Sequence, residues 1–154
     1  MEVRNARQSP TLPRFTTEDT AMHMRDMLAS HPNIHGSLPE PVSVCIEACF
    51  HCAGICHSCA DACLSEDSVK DLAPCIRLDL DCADICFATG TILLRHTGNN
   101  EDAVRRMLDT CAAACRTCAQ ECERHADHHM HCKHCAQACR ECERACMDAG
   151  RSLH

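Results

Sequence analysis

Between residues 41 and 150, four stretches carry a row of small apolar positions in helical phase; in the first, third and fourth the steps are only three or four residues, and in the second a polar residue fills one step. That spacing places side chains on one face of an α-helix, so each stretch is predicted to be an amphipathic helix. The first runs from about Pro41 to Leu64, with proline in its opening turn and the polar turn Ser65-Glu66-Asp67-Ser68 behind it. The second ends near His96, ahead of Gly98, and Pro74 marks either its start or a kink. The third opens at Asn99 or Asn100 with Glu101 and Asp102, and runs to about His125. The fourth spans about His128 to Ala149, with Asp127 as its cap and Gly150 as its stop. Short turns between long helices predict an all-α, antiparallel up-down-up-down four-helix bundle.

A shorter element precedes the bundle. Residues 16–30 are predicted to be helical, with Thr16 or Thr17 as cap, Glu18 and Asp19 in the first turn, and Met22, Met27 and Leu28 as an apolar stripe. The prolines and glycine of His31 to Pro41 predict a linker. The chain thus divides into a flexible N-terminal segment (1–15), a short extra helix and linker (16–40), and the bundle (41–150).

Composition changes the picture of what fills that bundle. The chain has 154 residues, of which 18 are Cys, 3 are Phe and none is Trp or Tyr. The repeating face is the cysteine row itself. It reads Cys45, Cys49, Cys52, Cys56, Cys59 and Cys63 on the first long helix, and Cys75, Cys82 and Cys86 on the second. The third carries Cys111, Cys115, Cys118 and Cys122, and the fourth Cys132, Cys135, Cys139, Cys142 and Cys146. These are heptad seam positions, which usually hold Leu or Ile. One or two core cysteines are ordinary packing, but Leu would bury more area at each site. Neighbours on one helix face sit roughly 5–6 Å apart at Cβ, too far for a disulfide, which wants about 3.8 Å; pairing between helices is feasible, but a closed disulfide core is out of place in a reducing compartment. The start has no apolar run or cleavage site of a secretory signal, and no stretch is expected to cross a bilayer. The predicted compartment is therefore the reducing cytoplasm, where clustered cysteines mean metal or redox chemistry.

Thiolates are soft ligands for Cu(I), zinc or iron–sulfur clusters. Zinc with four thiolates carries a net charge near −2, and several such sites in one narrow core repel one another. Cu(I) is monovalent and shares thiolates, so a filled core is close to neutral. Every C-x2-C lies inside a continuous helical ladder rather than on zinc-finger turns, and the C-x2-C-x2-C-x3-C-P cluster run is absent. The reading is multiple Cu(I) ions per chain, with an iron–sulfur electron carrier or a zinc or thiol redox protein as alternatives. No nucleophile–base set or phosphate loop is recognisable, so no enzyme is predicted. A net charge of −7 argues against nucleic acid as a partner.

Three runs carry a resemblance: C-x3-C-x2-C-x3-C-x2-C-x3-C at Cys45–Cys63, C-x3-C-x2-C-x3-C at Cys111–Cys122, and C-x2-C-x3-C-x2-C-x3-C at Cys132–Cys146. Over about residues 42–150 the chain resembles the cytosolic four-helix-bundle copper storage proteins. The resemblance implies a store rather than a catalyst, and a homo-oligomer, a tetramer, of copper-loaded bundles.

Polar residues also fall on the seams. On the third helix the series continues past Cys122 to His125 and His129, and His128 stands four residues before Cys132. These histidines mark one end of the bundle as a polar mouth through which copper would pass. Ile92, Leu93, Val104, Leu108 and Leu153 are expected to plug the other end. Asp79 fills the missing step between Cys75 and Cys82, and a carboxylate there is costly unless it binds metal or hydrogen-bonds, so it is expected to face the mouth as a ligand or gate. The expected metal set is the eighteen cysteines with Asp79, His125 and His129. His131 and His134 are placed on the outer face.

Overall fold

Cysteine and alanine leave each long helix one narrow apolar face, and the computed structural model, which describes residues 16–153, brings four such faces together. Five helices are formed in this range: α1 (Thr17–Ala29), α2 (Glu40–Leu64), α3 (Ala73–Leu93), α4 (Glu101–His125) and α5 (Met130–Ser152). α2 packs on α3 and α5, and α4 packs on the same two, so each helix of the ring touches its neighbours in sequence and α5 closes back on α2. This is the predicted bundle. The segment 1–15, expected to be flexible, lies outside the described residues.

The core is built from small groups. Every cysteine is buried, and Ala53, Ala60, Ala83, Ala119 and Ala149 lie beside the sulfur rows. Ile46, Leu72 and Leu108 are the largest apolar side chains that are fully buried. Small seam residues let the helices approach closely. Gly90 on α3 is one such place, because a Cβ there would stand 3.1 Å from the Phe50 ring of α2.

Several boundaries differ from the sequence reading. Pro74 sits in the first turn of α3, so it is a start and not a kink. α3 stops at Leu93, and Gly98 comes later, in the loop, with φ of 86°. α5 begins at Met130 with His129 at its cap position, rather than at about His128 with Asp127 as cap, and it runs through Gly150. α1 has the expected cap: Thr16 and Asp19 form a reciprocal capping box. Its predicted apolar stripe is not a buried face, since Met22 and Met27 are exposed and Leu28 alone of the three is buried. Arg25 of α1 pairs with Glu40 and Glu47 and ties the helix to the start of α2.

No segment is expected from the sequence to cross a bilayer. α2 does reach a spanning length and a mean hydropathy of 1.4 over 18 residues. The high value comes largely from its six cysteines, and these face the bundle core. The end remote from His125, His129 and His131 is apolar, as expected, with Val104 and Leu153 packed on the core. Leu93 and Leu108 are buried there, and a partly open pocket of about 210 Å³ lies beside them, lined by Leu38, Val42, Ile92, His96, Val104 and Leu153.

Candidate metal centre

Each ladder delivers its sulfurs to the bundle axis because steps of three and four stay in phase with the helix. All eighteen cysteines are free and buried. Along a helix, Cys45 and Cys49 stand 4.0 Å apart at sulfur, Cys52 and Cys56 3.8 Å, and Cys82 and Cys86 3.8 Å. Across helices the approach is as close: Cys86 to Cys115 is 3.4 Å, Cys56 to Cys139 3.5 Å, Cys75 to Cys122 3.5 Å and Cys45 to Cys146 3.7 Å. Metal–thiolate bonds of about 2.3 Å, the value for zinc, put three sulfurs around one ion about 4.0 Å apart. The thiols are thus already near the spacing that a shared soft ion needs.

Four-sulfur groups succeed one another along the axis and share corners. Cys52, Cys86, Cys115 and Cys142 form one group, Cys52, Cys56, Cys82 and Cys139 the next, and Cys56, Cys118, Cys135 and Cys139 a third. The first of these draws one residue from each long helix. Shared corners make the array continuous, so an ion can be handed along it without leaving sulfur.

Asp79 interrupts the sulfur. Its side chain has no exposure to solvent. Oδ1 accepts thiol hydrogen bonds from Cys118 at 3.0 Å, Cys122 at 3.3 Å and Cys135 at 3.3 Å, and Cys75 lies 3.8 Å from Oδ2. Burial pushes this carboxyl up to about 8, with charge on Cys135 adding to the effect and the Cys118 thiol opposing it. Asp79 therefore sits inside the array, below the mouth, with three thiols aimed at one oxygen. Burial likewise pushes the Cys63 thiol up to about 11 and raises Cys132. The thiols of Cys122 and Cys59 draw Cys75 down.

The mouth is formed where α2 and α4 end and α3 and α5 begin. His131, which the sequence reading put on the outer face, turns inward instead. Its Nδ1 lies 3.6 Å from Cys59, 3.8 Å from Cys63 and 3.5 Å from Cys132. Together the four form a compact ligand group. Its Nε2 is 3.0 Å from Glu66 Oε1. The same oxygen is 3.0 Å from His129 Nδ1, and the His131 and His129 imidazoles hold the Glu66 carboxylate below its ordinary range. His129 is thus one step outside the thiols, with its ring 5.3 Å from that of His131. His125 is part-buried and pairs with Glu121 on its own helix at 3.1 Å. His128 and His134 are exposed.

A signal for His131 was present. It stands four residues before Cys135, which is a ladder step, whereas His128 and His129 precede the helix and the ladder spacing does not govern them. Glu66 carried no such signal, because a turn residue has no helical phase.

A profile of the copper storage protein family matches residues 39–150. The cysteine-rich protein YhjQ of Bacillus subtilis, itself uncharacterized, is 37% identical over 102 residues, 66% of this chain and 89% of its own length. Among solved structures, the copper storage protein Ccsp from Streptomyces lividans loaded with 10 copper equivalents is 48% identical, with a TM-score of 0.80 over 83% of this chain and 98% of that one. A second structure of the same organism concerns a cytosolic copper storage protein with five coppers, at 52% identity and a TM-score of 0.72 over 73% of this chain and 93% of its own. Cu(I)-bound BsCsp3 is 34% identical, with a TM-score of 0.59 over 74% of this chain and 98% of that one.

Proposed function

The chain belongs to the copper storage protein family, and on that premise we propose that it stores many Cu(I) ions in the cytosol on the thiolates of its own core. The single observation that carries this reading is the continuous array of eighteen buried, unbridged thiols at contacts down to 3.4 Å. A redox protein needs one exposed pair, and a zinc site needs one closed tetrahedron. A row of overlapping sulfur groups suits a monovalent ion that takes two or three shared ligands.

Each ion displaces thiol protons, so the loaded core approaches neutrality while remaining dry. Asp79 offers a hard oxygen within the array, and His131 caps its mouth end as a nitrogen ligand. His125 and His129 receive ions from solvent, and His129 passes them towards His131. The working form is a homo-oligomer, a tetramer of such bundles, as the family resemblance implies.

Anaerobic titration of the reduced apoprotein with Cu(I) against a competing chelator tests this. The expected result is uptake of many ions per chain. Saturation after one or two ions would overturn it.

A further inference from the structure

One cluster at the mouth has donors of a different kind from the core. Glu66 comes from the turn after α2, His129 precedes α5 and His131 lies in its first turn. His129 Nδ1 and His131 Nε2 converge on one oxygen, Glu66 Oε1, each at 3.0 Å. We propose that these three atoms form a second metal site, for a borderline divalent cation such as Zn(II), separate from the thiol array.

The spacing fits. A cation bonded at about 2.0–2.2 Å to nitrogen and oxygen sets adjacent ligand atoms about 3.0–3.5 Å apart. Both nitrogens are already at that separation from the carboxylate oxygen, so an ion seated beside the three atoms needs the two rings to turn their lone pairs from the oxygen towards it while the nitrogen–oxygen spacing is kept. The donor set fits as well. Two imidazoles and a carboxylate suit zinc and its neighbours, whereas Cu(I) prefers sulfur. The Glu66 side chain is 36% exposed, which leaves a further position open to water. The chain's net charge of −7 favours a cation at this surface.

This site would control the sulfur array through the two faces of one ring. A neutral imidazole has one N–H and one lone pair. While Nε2 donates its proton to Glu66, the lone pair on Nδ1 faces Cys59, Cys63 and Cys132. A divalent ion on Nε2 takes the lone pair there, and the proton moves to Nδ1. The ring then presents a donor to the thiols and no longer a ligand. His129 shifts its proton to Nε2 in the same way, so neither neutral ring releases a proton to solvent. Occupancy by Zn(II) and use of His131 by Cu(I) exclude each other. That second part rests on the storage reading, while the site itself does not.

Co(II) serves as the spectroscopic probe and Zn(II) as the competitor. One equivalent of Co(II) added to reduced apoprotein is expected to give weak visible bands without the intense near-ultraviolet absorption of cobalt–thiolate bonds, and Zn(II) should abolish them. His129→Ala should weaken cobalt binding at least about tenfold, the scale that loss of even an outer-shell partner reaches, and Glu66→Gln should do likewise, with circular dichroism checking that each variant folds. Pre-binding one equivalent of Zn(II) should slow Cu(I) uptake several-fold in the wild type and leave the rate ratio at unity in His129→Ala. Cobalt–thiolate absorption at the first equivalent, or unchanged cobalt affinity in both variants, would overturn the divalent site. Cu(I) capacity measured on the same samples separates the two ideas. Full capacity without nitrogen- and oxygen-bound cobalt defeats this site alone, and low capacity with the cobalt spectrum intact defeats storage alone.

Discussion

Asp79 is the one fully buried carboxylate among the described residues, and its neighbours are thiols rather than cations. Its folded value of about 8 lies above the ordinary 3.8, so folding favours the neutral acid. The stabilisation tied to that acid is complete below about pH 3.8 and is lost as the pH climbs through 8; the full swing is on the order of 5 kcal/mol. Asp79→Asn cannot ionise. In the apoprotein under reductant, the melting temperature of the variant minus that of the wild type should therefore increase from pH 4 to pH 8. A difference that stays flat with pH would mean that Asp79 is solvated in solution. His131 makes a second case at this scale, because it touches three thiols with one nitrogen. His131→Ala should weaken the Cu(I) ions nearest the mouth by at least about tenfold, a scale borrowed from ligand-shell changes, and should leave the deeper ions at wild-type affinity. Chelator competition at low and high loading separates the two populations, and uniform weakening would count against a mouth role.

At the scale of the element, the ladders were legible because a helix keeps its phase over twenty residues, so cysteine spacing alone identified the inward faces of α2, α4 and α5. The same rule fails at helix ends. Extending the ladder past Met130 selected His128, which is exposed, and missed His131. It also fails where a helix lacks a full partner: Met22 and Met27 have the spacing of a stripe, but α1 seats only Leu28 and part of Met24 on the core. Mean hydropathy taken alone would misread α2 as a span, since the scale scores its buried thiols as apolar. Helix contacts depend on small residues that no periodicity flags. Gly90 is the clearest, with the Phe50 ring where its Cβ would go. Gly90→Val should destabilise the apoprotein by about 1–3 kcal/mol through overpacking. Gly90→Ala should cost less, because alanine's helix propensity returns about 1 kcal/mol. Urea unfolding of both, with Phe50→Ala to make room, completes a double-mutant cycle. If Phe50→Ala brings no relief to Gly90→Val, the ring contact is not what limits the α2–α3 approach.

The whole molecule has given up ordinary core material. Thiols and alanines fill the axis where branched chains would bury more area, and surface pairs such as Arg140 with Glu123 add little. The apoprotein is therefore expected to be only modestly stable, and cargo should supply the rest. An ion held by Cys52, Cys86, Cys115 and Cys142 joins all four long helices at once. Any ligand that binds only the folded state stabilises it, by about 2.7 kcal/mol per site at a hundred times its dissociation constant. Because the sulfur groups share corners, successive ions should keep adding to this rather than saturating at the first. The melting temperature should rise stepwise across the Cu(I) titration and return to the apoprotein value when a strong chelator strips the metal. Each new thiolate also costs a proton, so the same titration should release protons into a weakly buffered medium and should weaken as the pH is lowered from 7.5 to 5. A melting temperature that stops rising after one or two ions, or uptake without proton release, would mean that copper sits outside the thiol array.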